Sequence, residues 1–401
     1  MWLLLFFWGG ELTTSKRIAF VSTVPYFLVA QLGSQIRFLL EHGIYVTVIT
    51  SSGKELVELP KHENLCIITI SIPRKISPLQ DIKSLFSLFL FFRSHHIDLL
   101  HSTTPKAGLL CAIAGWSTGV QIRLHTFTGQ PWAIRKGLMR AVMRASDRVI
   151  VSLMTHCYAD SPSQRDFLIQ QGIASPDDLS VIGHGSLGGV DIKRFSRERW
   201  SSEQCLAIRR ELSIPDDSFV IVYIGRITAD KGIHELLMAF DTFQQSRNAH
   251  LLLIGPPDED GVGLLEQADT RHNVSCLGYQ SEPERFLAIA DILCLPSYRE
   301  GFGTVVIEAA SMGVPTVGTK IPGLVDAVED GVTGRLVQVR DIDSLRRSFV
   351  QLADDRKGRL RLGAQARERA HRLFAADVVG AALLTEYEKW WNGIFRRDKD
   401  D

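Results

Sequence analysis

The 401-residue chain predicts an α/β fold of two doubly wound domains facing a crevice, on three observations. Short β-branched runs alternate with longer amphipathic segments, the signature of a mostly parallel sheet covered by helices on both faces. The alternation breaks once, across the Gly- and charge-rich stretch Gly183 to Glu198, and then begins again. The length also suits two domains, at roughly 100 to 200 residues each.

In the first series Ile18 to Val24, Tyr45 to Thr50, Cys66 to Ile70, Ile97 to His101, Ile122 to Phe127, Arg148 to Leu153 and Leu179 to Ile182 read as strands. Between most of them lie helical stretches: Phe27 to Glu41, Leu79 to His95, Lys106 to Trp116, Ala133 to Ala145 and Ser161 to Gln170. The second series reads as strand Phe219 to Ile224, helix Ile233 to Gln244, strands His250 to Ile254 and Val274 to Leu277, and helix Glu282 to Ala290. Strand Ile292 to Pro296, helix Thr304 to Ser311, strands Pro315 to Thr319 and Leu336 to Val339, and helices from Ile342 onward complete it. We divide the chain into domains at 1–190 and 191–375, with 376–401 expected as a helix packing back toward the first domain. In such sheets ligands bind beyond the carboxyl ends of the strands, so function is sought in the loops that follow strands.

Composition narrows the classes. Lys plus Arg and Asp plus Glu both number 45, and 45% of residues are hydrophobic, which excludes disordered and low-complexity chains. Overall neutrality argues against a nucleic-acid binder working through a broad basic surface. Residues 1–200 nevertheless hold 21 basic and 14 acidic side chains, net +7, leaving 24 against 31, net −7, for the rest. The six cysteines (Cys66, Cys111, Cys157, Cys205, Cys276, Cys294) form neither a C-x-x-C knuckle nor a disulfide framework, and read as buried thiols in a reducing cytoplasm. The apolar stretch Met1 to Trp8 is too short for a bilayer that needs about 20 residues, and reads as a misassigned start or a small membrane-dipping tag.

Several motifs fail the strand-end test. Gly183 to Gly188 is a literal G-x-G-x-x-G, but no amphipathic helix follows, so it reads as an interdomain hinge. Asp258-Glu259-Asp260 lies in a Pro/Gly-rich surface loop, and Asp341-Ile342-Asp343 looks like an N-cap with a first-turn acid. His95-His96 ends a helix, where the dipole favours it.

Two loops pass. After Phe219 to Ile224 come Gly225, Arg226 and, five residues on, Lys231, placing a guanidinium and an ammonium at a strand's carboxyl end, as suits a diphosphate. After Ile292 to Pro296 comes Glu300-Gly301-Phe302-Gly303-Thr304-Val305, with Glu308 in the following helix. The glycines let a ligand approach the backbone, and the amides of Gly303 to Val305 form an anion site. Glu300 and Glu308 lie too far apart in register for one glycosidase-like cavity, and instead suit different hydroxyl-bearing parts of one extended ligand.

Glu300 to Glu308 resembles the Glu-x7-Glu motif of retaining family-4 glycosyltransferases of the GT-B fold, including the internal Gly-Phe-Gly and the trailing Gly313-Val314-Pro315. Arg226 and Lys231 fall where that family's diphosphate-binding pair falls, and Gly189 to Phe195 resembles its interdomain segment. The first loop, Thr23 to Phe27, departs by lacking the usual Gly-Gly pair, which leaves acceptor contacts there open. The resemblance implies that Glu308 holds the nucleotide ribose and Glu300 meets the donor sugar. It also places His125 like the N-domain histidine that reaches that sugar. Arg226, Lys231, Glu300 and His125 are then the catalytic set. Gly225, Gly301, Phe302, Gly303, Thr304 and Val305 complete the donor site, and no metal or other cofactor is expected.

Segments Thr104 to Leu110 and His125 to Trp132 resemble those of bacterial enzymes that build O-antigen, capsule or exopolysaccharide units. They imply transfer of an N-acetylhexosamine from a UDP-sugar to a polyprenyl-diphosphate-linked saccharide. A nucleotide-sugar 2-epimerase of the same fold and a non-catalytic subunit of a synthesis complex stay as alternatives. A lipid-linked acceptor implies peripheral docking on the inner face of the plasma membrane, for which Lys136, Arg140, Arg144 and Arg148, and Leu85 to Phe92 between Lys83 and Arg93, are the candidate surfaces. For Leu85, Phe86, Phe89 and Leu90 the competing expectation is packing against the sheet.

Overall fold

The computed structural model describes residues 16–400, with side chains through Gly393; Met1 to Trp8 lie outside the described residues. The first domain runs β1 (Arg17–Val21), α1 (Pro25–Glu41), β2 (Tyr45–Thr50), β3 (Leu65–Thr69), α2 (Pro78–Ser94), β4 (Leu99–Thr103) and α3 (Pro105–Ser117). It continues through β5 (Ile122–Phe127), α4 (Gly137–Leu153), β6 (His156–Ala159), α5 (Pro162–Gln170) and β7 (Leu179–Val181). These strands form one seven-stranded parallel sheet in the order β3-β2-β1-β4-β5-β6-β7.

The second domain runs α6 (Ser202–Glu211), β8 (Phe219–Ile224), α7 (Ile233–Gln244), β9 (Ala249–Ile254), α8 (Val262–Asp269), β10 (Val274–Gly278), α9 (Glu284–Leu287) and β11 (Ile292–Leu295). Then come α10 (Thr304–Ser311), β12 (Thr316–Thr319), α11 (Leu324–Ala327), β13 (Gly334–Val337), α12 (Ile342–Asp354), α13 (Arg356–Phe374) and α14 (Ala376–Asp400). The sheet order is β10-β9-β8-β11-β12-β13, again parallel. Helices cover both faces, which is why β8 and β9 read as continuous apolar runs rather than alternating ones.

Each sheet reverses its winding at one place, between β1 and β4 in the first and between β8 and β11 in the second. There the loops after neighbouring strands leave in opposite directions and open a crevice. The chain crosses between domains twice at one point: the Val190 amide donates to the Phe374 carbonyl and the Ala376 amide to the Val190 carbonyl, both at 2.8 Å. From there α14 runs back over the first domain, and Leu383, Tyr387 and Trp391 are buried in one cluster with Leu28, Leu32 and Ile36 of α1. The segment Gly183 to Gly188 lies in turns leading to this crossing and opens no helix.

Three expectations are corrected. Arg148 to Leu153 is not a strand but the end of α4; the strand is the next segment, His156–Ala159. The Val149-Ile150-Val151 run has β-branched composition, yet Ile150 is one knob of a helix face packed on the sheet, and tertiary burial overrides propensity. The helix expected from Ala133 begins only at Gly137, after a separate 3-10 turn, Pro131–Ile134. Finally, only Cys111, Cys157 and Cys294 are buried, whereas Cys66 is exposed on the edge strand β3.

Candidate active site

The loops that follow β8 and β11 are neighbours because those strands pair directly, Ile221 with Ile292 and Val222 with Leu293. Lys231, in a short 3-10 turn after β8, therefore reaches Glu300 across 69 residues of sequence and pairs with its carboxylate. The Ser297 hydroxyl donates to the same oxygen at 2.7 Å. The loop is held by the Tyr223 hydroxyl, which donates to the Arg226 carbonyl at 2.7 Å beside Gly225, and by the Tyr298 amide, which donates to the Asp230 carbonyl at 2.8 Å.

Arg226 pairs with Asp258, and Asp258 also accepts from Arg74 of the first domain at 3.4 Å. Asp260 accepts from the Ala229 amide at 3.2 Å, so the Asp258-Glu259-Asp260 loop braces the cationic loop. Asp341 caps α12 by accepting from the Ser344 amide at 2.9 Å. Among the described residues no group of His, Cys, Asp and Glu side chains is gathered as a metal site.

Gly303 adopts φ 86°, and the backbone turns there into α10, whose first residues are Thr304 and Val305. Glu308 lies one turn beyond Thr304 on the same helix face. Burial pushes the Glu308 carboxyl up to about 7; Arg194, which holds Glu284 through two 2.9 Å bonds, pulls the other way. Phe302 is not in the crevice: its ring is buried edge-on against Phe374 at 5.0 Å, so it anchors the loop.

The two domains meet across the crevice floor. The Ser161 hydroxyl, just past β6, donates to the Gly301 carbonyl at 3.0 Å, and Thr304 donates to the Gln31 side chain of α1 at 2.6 Å. The Ser163 amide donates to Asp326 at 2.9 Å while its hydroxyl accepts from the Gly323 amide at 2.8 Å. A Cβ on Gly129 would sit 2.9 Å from the Gly301 nitrogen, so the loop after β5 reaches the donor loop through bare backbone.

His125 does not join the cluster. Its side chain is 1% exposed, accepts or donates at 3.0 Å with Ser102, and packs against Phe127 and the Gly108 backbone of α3. Burial, with His101 nearby, pushes its pKa down to about 3, so it is a neutral core imidazole. The residues of β5 alternate between two cores, and position 125 belongs with Phe127 on the α3 side. What reaches the second domain from this strand is the following Thr128-Gly129 backbone.

Sequence reasoning missed Gln31, Asp160, Ser161, Ser163 and Arg194. Asp160 and Ser161 do carry a signal, since they directly follow β6, but the sequence expectation puts the strand at Arg148 to Leu153.

Residues 206–369 match the family of glycosyl transferases group 1, and residues 32–186 match Glycosyltransferase Family 4. The chain is 30% identical over 359 residues to the capsular polysaccharide biosynthesis glycosyltransferase CapM of Staphylococcus aureus, covering 88% of this chain and 92% of the relative. It is 24% identical to the UDP-Gal:alpha-D-GlcNAc-diphosphoundecaprenol alpha-1,3-galactosyltransferase of Escherichia coli, over 71% of this chain and 73% of that protein. Anabaena Alr3699/HepE, solved in complex with UDP-glucose, shares the fold with a TM-score of 0.77 at 20% identity, covering 93% of this chain and 99% of that one. Two Rossmann-like domains around a crevice are the GT-B architecture. The chain belongs to the family-4 glycosyltransferases.

Proposed function

We propose that this glycosyltransferase moves an N-acetylhexosamine, with retention at the anomeric carbon, from a UDP-sugar to a polyprenyl-diphosphate-linked saccharide in surface polysaccharide synthesis. The observation that carries the reading is the Lys231 and Glu300 pair at adjacent strand ends, with Arg226 on the same loop and the α10 amides opposite. The match to CapM supports polysaccharide synthesis, the Escherichia coli relative's name supports a lipid-diphosphate acceptor, and the HepE complex supports a UDP-sugar donor.

As the glycosidic bond loosens, negative charge collects on the departing diphosphate. Arg226 and Lys231 exchange their present carboxylate partners for it, and their attraction grows with that charge, as catalysis requires. Glu300, freed of Lys231, accepts from sugar hydroxyls, and Glu308 accepts from the ribose. Attack on the donor's front face lets the leaving phosphate take the acceptor proton, so the chain need supply no separate base. With two cations and a helix N-terminus facing the diphosphate, turnover is expected to survive EDTA; loss that manganese restores overturns this.

The acceptor's lipid keeps it in the bilayer, so we place the enzyme peripherally on the inner membrane face. Among the described residues no helix is long and apolar enough to cross a membrane. The test is a panel of UDP-sugars with and without a lipid-linked acceptor, reading released UDP and the product's anomeric configuration. Acceptor-dependent release of UDP is expected, with the donor's configuration kept. Release of UDP with an epimerised sugar and no acceptor supports the 2-epimerase instead, and binding without turnover supports a non-catalytic subunit.

A further inference from the structure

We infer that Asp160 is a sugar-binding residue of the first domain, its carboxyl group exchanging hydrogen bonds with hydroxyls of a saccharide seated in the crevice opposite Glu300. The inference rests on the glycosyltransferase reading above and assigns a recognition role that the Glu-x7-Glu motif does not contain.

Asp160 is the first residue beyond β6, at the carboxyl end of the sheet where ligands bind in this architecture. It is 6% exposed, and its Oδ1 has no hydrogen-bond partner. A buried carboxyl oxygen left unpaired is costly, and native folds keep such groups where something else completes them. Its charged neighbours are Glu300 and Asp326, both acids, and together with burial they hold its proton well above the usual carboxylate range. Glu300 is itself paired with the ammonium of Lys231.

The missing partner can therefore be a cation or a set of neutral donors. A carboxyl group that keeps its proton between two acids is served by neutral hydroxyls, which both donate and accept. Gln130 points to the same chemistry. It lies three residues past Phe127, which pairs with Ala159 of β6, and both of its buried side-chain amide atoms are without partners. Two adjoining strand ends thus each leave buried polar atoms unsatisfied, a carboxyl oxygen on one and an amide on the other, chemistry that a polyhydroxylated ligand can complete. The facing backbone is bare: a Cβ on Gly301 would lie 2.1 Å from Asp160 Oδ2. The same hydroxyl chemistry belongs to the transferred sugar and to the acceptor sugar.

Calorimetry and steady-state kinetics on Asp160→Asn and Asp160→Ala separate the outcomes. Both variants should bind UDP, which carries no transferred sugar, as tightly as wild type. If Asp160 holds the donor sugar, UDP-sugar affinity falls roughly 10- to 100-fold, as for a buried hydrogen-bonding group left without its partner. If it holds the acceptor sugar, UDP-sugar affinity stays and the acceptor KM rises by a similar factor. Unchanged constants for both sugars overturn the inference, as does a parallel loss for UDP alone, which would mark a role in domain closure. Asp160→Asn preserves shape, and its melting temperature shows whether the fold is intact. A wild-type protein that binds no UDP-sugar at all would instead refute the proposed function.

Discussion

Glu300 presents a carboxylate to a closed crevice, and Lys231 neutralises it there with help from Ser297. Lys231→Ala removes the cation both from Glu300 and from the diphosphate. Turnover should fall about 10²- to 10³-fold, the loss typical of one preorganised donor, while UDP affinity changes far less. Turnover at the wild-type rate would remove the pair from the chemistry. Glu308 has no such close cation: its pKa is raised from 4.5 to about 7. An acid whose pKa is raised by folding binds its proton more tightly in the native state, so stability falls as pH rises from 4.5 to 7 and is level above. Glu308→Gln cancels that contribution. Its melting temperature relative to wild type should therefore climb between pH 5 and pH 8, and a flat difference would contradict the assignment. That Arg226, Lys231 and Glu300 lie in neighbouring loops at strand ends, with Glu308 in the helix beyond, was legible because loop position, glycine spacing and charge pointed one way. His125 was not, because whether a strand-end side chain faces crevice or core depends on which helix covers it.

Val149-Ile150-Val151 carries the composition of a strand and the environment of a helix, and nothing local separates the two. Asp160 and Ser161, which follow the true strand β6, are therefore not legible as strand-end residues. The second domain was read more faithfully because β8, β9 and β11 are buried on both faces and bounded by Gly and Pro. Its loop after β11 meets the first domain at Gly301, where an added Cβ would lie 2.1 Å from Asp160 Oδ2 and 2.8 Å from the Thr128 carbonyl carbon. Those closest atoms belong to the opposite domain. Gly301→Ala should therefore fold with a wild-type melting temperature yet fail to close, losing kcat/KM. Small-angle scattering with UDP-sugar should show a larger radius of gyration than wild type; an unchanged radius with normal turnover would show that the contact across the floor is dispensable.

At the scale of the whole molecule residues 1–200 carry net charge +7, and α2 and α4 of the first domain each expose several large apolar side chains. On α2 the segment Leu85 to Phe92 is divided between core and solvent. Leu85 and Phe89 pack on the core, while Leu79, Ile82 and Phe86 are 77%, 63% and 60% exposed along one stripe beside Lys83. α3 lies between α2 and α4, and α4 adds exposed Leu138, Met139 and Val142. The basic series on α4 is largely committed elsewhere: Arg140 and Arg144 reach Gln171 and lie over the Trp132 ring, and Arg148 donates to the Gly172 carbonyl at 2.9 Å. Apolar insertion should then outweigh attraction by cations. Burying one large side chain contributes about 1.5 to 3 kcal/mol, against about 1 kcal/mol for a cation near an anionic surface. We expect the protein to sediment with anionic vesicles, with salt weakening binding without abolishing it. Leu79→Ser combined with Phe86→Ser should lose most of the binding while UDP-sugar affinity and melting temperature stay at wild-type values, because both side chains face solvent in the free protein. Equal indifference of the wild-type protein to anionic and neutral vesicles would remove the membrane from the account. Full retention by the double variant would move the docking surface away from α2.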